Sequence, residues 1–293
     1  AVSHWTSRIR RVMIPFDNEA MELRTDPAAR KGPPDTISIW WLHQAGFVIR
    51  IGEKVFAIDL FLSPAAERVV PPPVRPEEVT GLDYVLGTHD HLDHIDRAVW
   101  PALAKASPEA KMLVPRYHLE KLQWELPAVA GRLVGVGNGT PFEEDGFRVQ
   151  AIPAAHELLE QDPVTGEYAA VGYAVSYQGV TVYHAGDCCI YEGLETRLRQ
   201  LGRLDVMLLP INGHSASRLR RGILGNMTYQ EAADLAGAVK PGLVIPMHYD
   251  AYAGNLENPL LFQDYLHVKY PDVPCAVPRA GERLDVEIHH RNR

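Results

Sequence analysis

Cysteine is scarce here: three in 293 residues, two of them adjacent at Cys188 and Cys189. That supply builds no disulfide framework, so a reducing, cytoplasmic setting is expected. Positive charge is also in short supply. The 29 Lys and Arg stand against 37 Asp and Glu, a formal net charge of −8. Tight basic runs such as Arg218, Arg220 and Arg221 are short, so no long nucleic-acid groove is expected. Apolar runs stop well short of the roughly 18 residues a membrane span needs, so no membrane span is expected. The opening Ala1-Val2-Ser3-His4-Trp5 lacks an apolar leader core, so no secretion signal is expected. Aromatic residues make up 8%, and the 23 Gly and 23 Pro lie near the globular average. Collagen-like, coiled-coil and disordered classes are thereby excluded. What is abundant is histidine, 13 in all. Their positions carry the functional reading.

The length allows one large domain or two small ones, at about 100–200 residues per domain. Residues 1–36 are polar and broken by Pro15, Pro27, Pro33 and Pro34. They read as an N-terminal arm with one short helix at Asn18–Leu23, and the arm is a reasonable contact for a homo-oligomer. From Ile37 the pattern changes to short β-rich runs at Ile37–Leu42, Phe47–Ile51 and Val55–Leu60, the last two joined at Gly52-Glu53. Tyr84–Thr88 is a further strand, and Ile95–Ala106 has helical spacing. The second half repeats this grammar. Strands are expected at Phe147–Pro153, Val171–Tyr177, Val180–His184, Asp205–Ile211 and Leu243–Pro246. Thr228 and Glu231 form a capping box opening a helix to Val239, and Asn258-Pro259 opens another to Tyr270. No composition break divides residues 37–293, which read as one domain of two facing sheets with helices outside.

The segment His89-Asp90-His91-Leu92-Asp93-His94 has the pattern His-x-His-x-Asp-His. Imidazole and carboxylate suit Zn²⁺, Mn²⁺ or Fe²⁺. Residues two apart in an extended segment point the same way, so His89 and His91 can reach one ion. Asp93 and His94 then swing towards a second as the chain turns. Three further candidates each follow a strand: His156, Asp187 in His184-Ala185-Gly186-Asp187, and His248 in Pro246-Met247-His248-Tyr249-Asp250. Any one alone reads as a structural side chain. Their shared position past strand ends argues for a common site.

Over about Ile37–Leu266 the chain resembles the metallo-β-lactamase-fold hydrolases. The fold implied is α/β, a four-layer αβ/βα sandwich of two mixed sheets flanked by helices, with the site at one edge. By that resemblance His89, His91 and His156 hold one metal, Asp93, His94 and His248 hold the other, and Asp187 bridges. Asp59 matches the family's early buried Asp, which supports the metal loop. Within the superfamily the chain is similar to L-ascorbate-6-phosphate lactonase and its relatives. The similar stretches are Trp40-Trp41-Leu42, Thr88 to Asp96, Tyr183 to Asp187, Asn226-Met227-Thr228, and Ile245 to Asp250. One departure is Ala154-Ala155-His156-Glu157, which offers a histidine where the lactonase lacks one. The chain is also shorter than that enzyme.

The resulting expectation is a metal-dependent hydrolase with two divalent ions, Zn or Mn with Fe as a further option. Ions about 3.5–4 Å apart share a water and bring its pKa near neutrality, giving a hydroxide that attacks a carbonyl or phosphorus. Asp187 bridges and Asp93 orients the nucleophile; these two are the catalytic candidates. His184 and His214 are candidate proton donors, with a packing role for His184 the stronger. Arg218 and Arg221 can grip a small anionic substrate, or sit on a solvated loop. Tyr249 can contact substrate hydroxyls. Cys188 and Cys189 read as packing residues, and one of Trp40 and Trp41 as core with the other edging the pocket. The first functional reading is the opening of a sugar-derived lactone, phosphorylated or not. The alternatives are a phosphodiesterase for a cyclic nucleotide or a phospholipid headgroup, and a metal-binding scaffold or sensor without turnover.

Overall fold

The computed structural model describes residues 9–12 and 36–288. The expected helix at Asn18–Leu23 lies outside the described residues. Fourteen strands are described, and they form two sheets. The first contains β1 (Ile9–Val12), β2 (Thr36–Trp41), β3 (Phe47–Ile51), β4 (Lys54–Ile58), β5 (Tyr84–Leu86), β6 (Lys111–Pro115), β7 (Leu133–Val136) and β14 (Arg283–Glu287). Their spatial order is β1-β14-β2-β3-β4-β5-β6-β7, antiparallel as far as β4 and parallel beyond. The second contains β8 (Phe142–Glu144), β9 (Phe147–Pro153), β10 (Val171–Tyr177), β11 (Val180–His184), β12 (Val206–Pro210) and β13 (Leu243–Met247). Its order is β13-β12-β11-β10-β9-β8, with β11, β12 and β13 parallel and the rest antiparallel. Four residues of the stretch read as an arm thus add a strand, β1 against β14.

Strand β2 is buried along its whole length, because both faces of the first sheet are covered. Trp40 belongs to the outer apolar cluster, with Trp100 and Leu103 of α1 (Trp100–Ala106) and Leu122 of α2 (Leu119–Glu125). Trp41 points the other way, into the core between the sheets. That core continues through the second sheet to α3 (Leu194–Gln200), α4 (Tyr229–Val239) and α5 (Pro259–Lys269). The layers are therefore helix, sheet, sheet, helix. The sheets lock through aromatic rings: Phe147 of β9 stacks on Tyr84 of β5 with centroids 4.1 Å apart and meets Phe56 edge-on at 5.6 Å.

Three turns have two residues each: Gly52-Glu53, Asp145-Gly146 and Gln178-Gly179. The last two have positive φ at both positions, the type I′ geometry that matches strand twist. The helix expected at Ile95–Ala106 begins only at Trp100. Pro101 lacks an N–H and cannot sit inside a helix, so it occupies the first turn instead. Strand β4 stops at Ile58, short of the expected Leu60, because Asp59 takes the left-handed conformation with φ 50°. Strands β6, β7, β8 and β14 and helices α2 and α3 had no clear signal in the sequence reading.

Truncating Phe147 to Ala removes the ring that joins the sheets and should cost about 3–5 kcal/mol in denaturant unfolding. Trp124→Ala, at a residue 83% exposed, should stay within about 0.5 kcal/mol of the parent.

Candidate metal centre

Strands β4, β5, β9, β11 and β13 deliver their carboxyl ends to one edge of the sandwich, where ligand sites of open α/β sheets form. Beyond β5 the chain passes Gly87 and Thr88 into a series of tight turns, with His91 N donating to His89 O and His94 N to His91 O. Asp90 takes no part in the cluster. Its carboxylate accepts from Arg97 at 2.5 Å and from Lys121 of α2 at 2.6 Å, fastening the loop from behind. After β11, Gly186 turns with φ 61°, and a Cβ there would lie 2.8 Å from Val171 O and 3.0 Å from Thr88 Cβ. Only glycine lets Asp187 come this close to the histidine loop.

Two groups of side chains result: His89, His91, His156 and Asp187, and beside them Asp93, His94 and His248. In the first, His91 Nδ1 lies 2.9 Å from His89 Nε2 and 3.2 Å from His156 Nε2. Asp187 Oδ2 is 3.5 Å from His156 Nε2 and 4.0 Å from His89 Nε2. In the second, His248 Nε2 is 3.4 Å from Asp93 Oδ2, and His94 Nε2 is 3.6 Å from the same oxygen. Asp187 turns its other oxygen, Oδ1, to this group, 3.1 Å from His248 Nε2 and 3.3 Å from His94 Nε2. A tetrahedral ion with bonds of about 2.0–2.1 Å holds its ligands about 3.3–3.4 Å apart. The observed spacings bracket that figure, so both groups fit a divalent cation.

The protons on the outward nitrogens are fixed by their partners. Asp59 is fully buried, and its Oδ2 lies 2.6 Å from His94 Nδ1. A carboxylate only accepts, so His94 carries its proton on Nδ1 and faces the site with Nε2. Thr88 donates both its N–H (2.9 Å) and its Oγ1–H (2.7 Å) to Asp59. Thr88 Oγ1 therefore accepts from His89 Nδ1 at 3.1 Å. His156 Nδ1 donates to Gly225 O at 3.2 Å. Three imidazole lone pairs thus converge in the first group.

Burial pushes the pKa of His89 far down and also lowers those of His91 and His156. In the second group burial opposes charge on His248, yet Asp187 and Asp93 raise it to about 9. His94 is raised too, by Asp187, Asp59 and Asp93 against burial. Burial would raise Asp93 and Asp187, but His94 and His248 hold both below the usual carboxylate range. Protons on two histidines are what the carboxylates recruit when no other cation is near. Among the described residues, His94 Nε2 and Asp187 Oδ1 are also buried without a hydrogen-bond partner. The donor chemistry suits metal ions.

The remaining candidates fall into place unevenly. His184 is buried; its Nε2 lies 2.8 Å from Ala45 O, and its Nδ1 accepts from Gly186 N at 3.1 Å. Both nitrogens serve the scaffold, leaving none for a substrate. His214 is exposed, with Nδ1 on Asn226 O. Arg218 directs Nη1 to the carbonyls of Asn212 and Gly213, inside its own loop. The exposed Arg221 reaches Ser217 O. Tyr249 is buried against Trp41, with ring centroids 5.1 Å apart. Both tryptophans are core, so neither edges a pocket. The sequence reading missed Gln44. Its Nε2 lies 2.9 Å from Asp93 Oδ2 and 3.0 Å from His248 Nε2. The available signal was a polar His43-Gln44 pair lodged between two apolar strands.

Cys188 is buried with Sγ on Cys189 O, and Cys189 Sγ reaches Gly225 O. Burial pushes these thiols up to about 12 and about 11. Because thiolate is the reactive form, alkylation of Cys188 in native protein at pH 8 should be at least about 100-fold slower than in urea. Peptide mass spectrometry reads both rates, and equal rates would contradict this packing.

A family described as "Beta-lactamase superfamily domain" matches residues 53–249. The UPF0173 metal-dependent hydrolase of Pyrococcus abyssi is 31% identical over 254 residues, covering 85% of this chain and 100% of that one. Its counterpart in Archaeoglobus fulgidus is 32% identical over 257 residues, covering 85% and 99%. Among solved structures, a metallo hydrolase from Ignicoccus hospitalis superposes with a TM-score of 0.64 at 22% identity, over 87% of this chain and 100% of that one. That likeness bears on the fold, the metallo-β-lactamase sandwich of two mixed sheets flanked by helices. The chain belongs to the beta-lactamase superfamily, as a metal-dependent hydrolase of the UPF0173 family.

Proposed function

We propose that this hydrolase works with two divalent ions, one held by His89, His91 and His156, the other by Asp93, His94 and His248, with Asp187 shared. The observation that supports this most directly is the placement of Asp187, whose Oδ2 faces one group and Oδ1 the other. When bound, such a pair brings the pKa of water near 7 and polarises the oxygen that gains charge. Asp93, kept ionised by His94 and His248, orients the attacking water. Asp59 and the Gly225 carbonyl keep His94 and His156 turned with Nε2 towards the reacting centre. The substrate we favour is a sugar-derived lactone, a reading that rests on the lactonase-like stretches Thr88 to Asp96 and Ile245 to Asp250.

Elemental analysis after loading with Zn²⁺ or Mn²⁺ should find two ions per chain; one or fewer counts against the pair. Asp187→Ala should lower turnover by more than about 100-fold, beyond the 10–100-fold typical of a supporting partner. Cys188→Ala should fall far less. Assays of lactones beside bis-nitrophenyl phosphate decide the substrate class, and a preference for the phosphodiester would overturn the lactone reading.

Arg218, bound to its own loop, should act alike on all substrates. Arg218→Ala should therefore change kcat/KM for neutral and phosphorylated lactones by the same factor. A selective loss of about 10–150-fold for the phosphorylated one would instead reveal an anion clamp.

A further inference from the structure

Gln44 is fully buried, yet it sits in the left-handed region with φ 52°, next to His43 at φ 70°. Glutamine seldom takes this conformation, and here the surroundings impose it. Gln44 O accepts from Trp41 Nε1 at 3.0 Å and from His248 N at 2.9 Å. Gln44 N donates to Asp250 Oδ1 at 3.0 Å, while Asp250 Oδ2 lies 2.5 Å from His43 Nδ1. Contacts from both sheets therefore fix the backbone and drive the side chain into the Asp93, His94 and His248 group. Its terminal amide stands about as far from Asp93 Oδ2 and His248 Nε2 as two ligand atoms on one ion stand from each other. The amide oxygen, Oε1, is buried with no hydrogen-bond partner among the described residues.

With no cation beside them, the amide nitrogen stands against the imidazole and donates to the Asp93 carboxylate, which leaves Oε1 unpaired. With a cation shared by Asp93 and His248, those two atoms need no donor, and hydrogens aimed at the ion would be repelled. A half-turn of the amide presents the orphaned oxygen instead. We propose that Gln44 is an additional, neutral ligand of the Asp93–His94–His248 ion through Oε1, an assignment that rests on the two-ion reading above. It raises the protein donors at that ion to five, counting Asp187. A count this high, rich in oxygen, suits Mn²⁺ or Fe²⁺ better than four-coordinate Zn²⁺.

The test is calorimetric titration of the chelator-stripped full chain with MnCl₂, for the parent and for Gln44→Met, Gln44→Ala and Gln44→Glu, each checked for folding by circular dichroism. Gln44→Met keeps the length of the side chain and removes the oxygen, so it stands in if the Ala variant does not fold. The parent should bind two equivalents. Gln44→Met and Gln44→Ala should bind one unchanged and the other about 10–100-fold more weakly, and Gln44→Glu should restore it. Two unchanged equivalents in Gln44→Met would overturn the ligand assignment while leaving the two-ion reading intact. Equal weakening of both equivalents in all three variants would also overturn it, since the amide would then only shape the loop. A parent that binds fewer than two equivalents overturns the two-ion reading, and this assignment with it.

Discussion

The carboxylate of Asp59 is the point from which the rest of the centre hangs. Stranded without water beyond the end of β4, it would be intolerable as a bare buried charge. The structure surrounds it with donors: Thr88 N, Thr88 Oγ1 and His94 Nδ1. In taking those hydrogens it decides which nitrogen of His94 faces the site. Through the Thr88 hydroxyl it decides the same for His89. One anion thus orients an imidazole in each of the two groups. The left-handed backbone at Asp59 is the local strain that buys this arrangement.

The second requirement is that the two sheets stay in register at the site edge, because each contributes part of the cluster. Aromatic packing of Phe147 on Tyr84 holds the interior. At the rim the junction is polar. His248 N, just past β13 of the second sheet, donates to Gln44 O in the β2–β3 loop of the first. His184 of β11 lies in hydrogen-bond contact with Ala45 O of that same loop. The loop is therefore the seam between the sheets, and its side chains feel displacements of either one.

How much of this was legible in the sequence depends on how local the signal was. The His89 to His94 pattern is contiguous, and turn pairs such as Gln178-Gly179 carry their own conformational reason, so both could be read directly. The gathering of His156, Asp187 and His248 is long-range. It was reached because each follows a strand, and by resemblance to a known family. Gln44 belongs to no ligand alphabet built on His, Cys, Asp and Glu, and its backbone conformation comes from Trp41 together with Asp250 and His248, the last two of which no window around it contains. The same applies to Arg218. Its residue type suggests anion binding, whereas its neighbours in space are carbonyls of its own loop. Strand β8, three residues at a sheet edge and none fully buried, lacked the apolar alternation that betrays a strand.

The two ends of the sandwich are built on different terms. Opposite the metal-type residues, three strand pairs are closed by the shortest loops a hairpin permits, at residues 52–53, 145–146 and 178–179. At the other end the strands run out into longer segments, residues 59–75, 87–99, 154–170 and 211–228. Insertions at the tight end would break hairpin register, whereas those at the loose end only lengthen paths that already cross the surface. Evolvability is thus concentrated at one pole. New specificities can be tried there by lengthening or exchanging loops while the hairpins, and the stability they carry, are inherited unchanged.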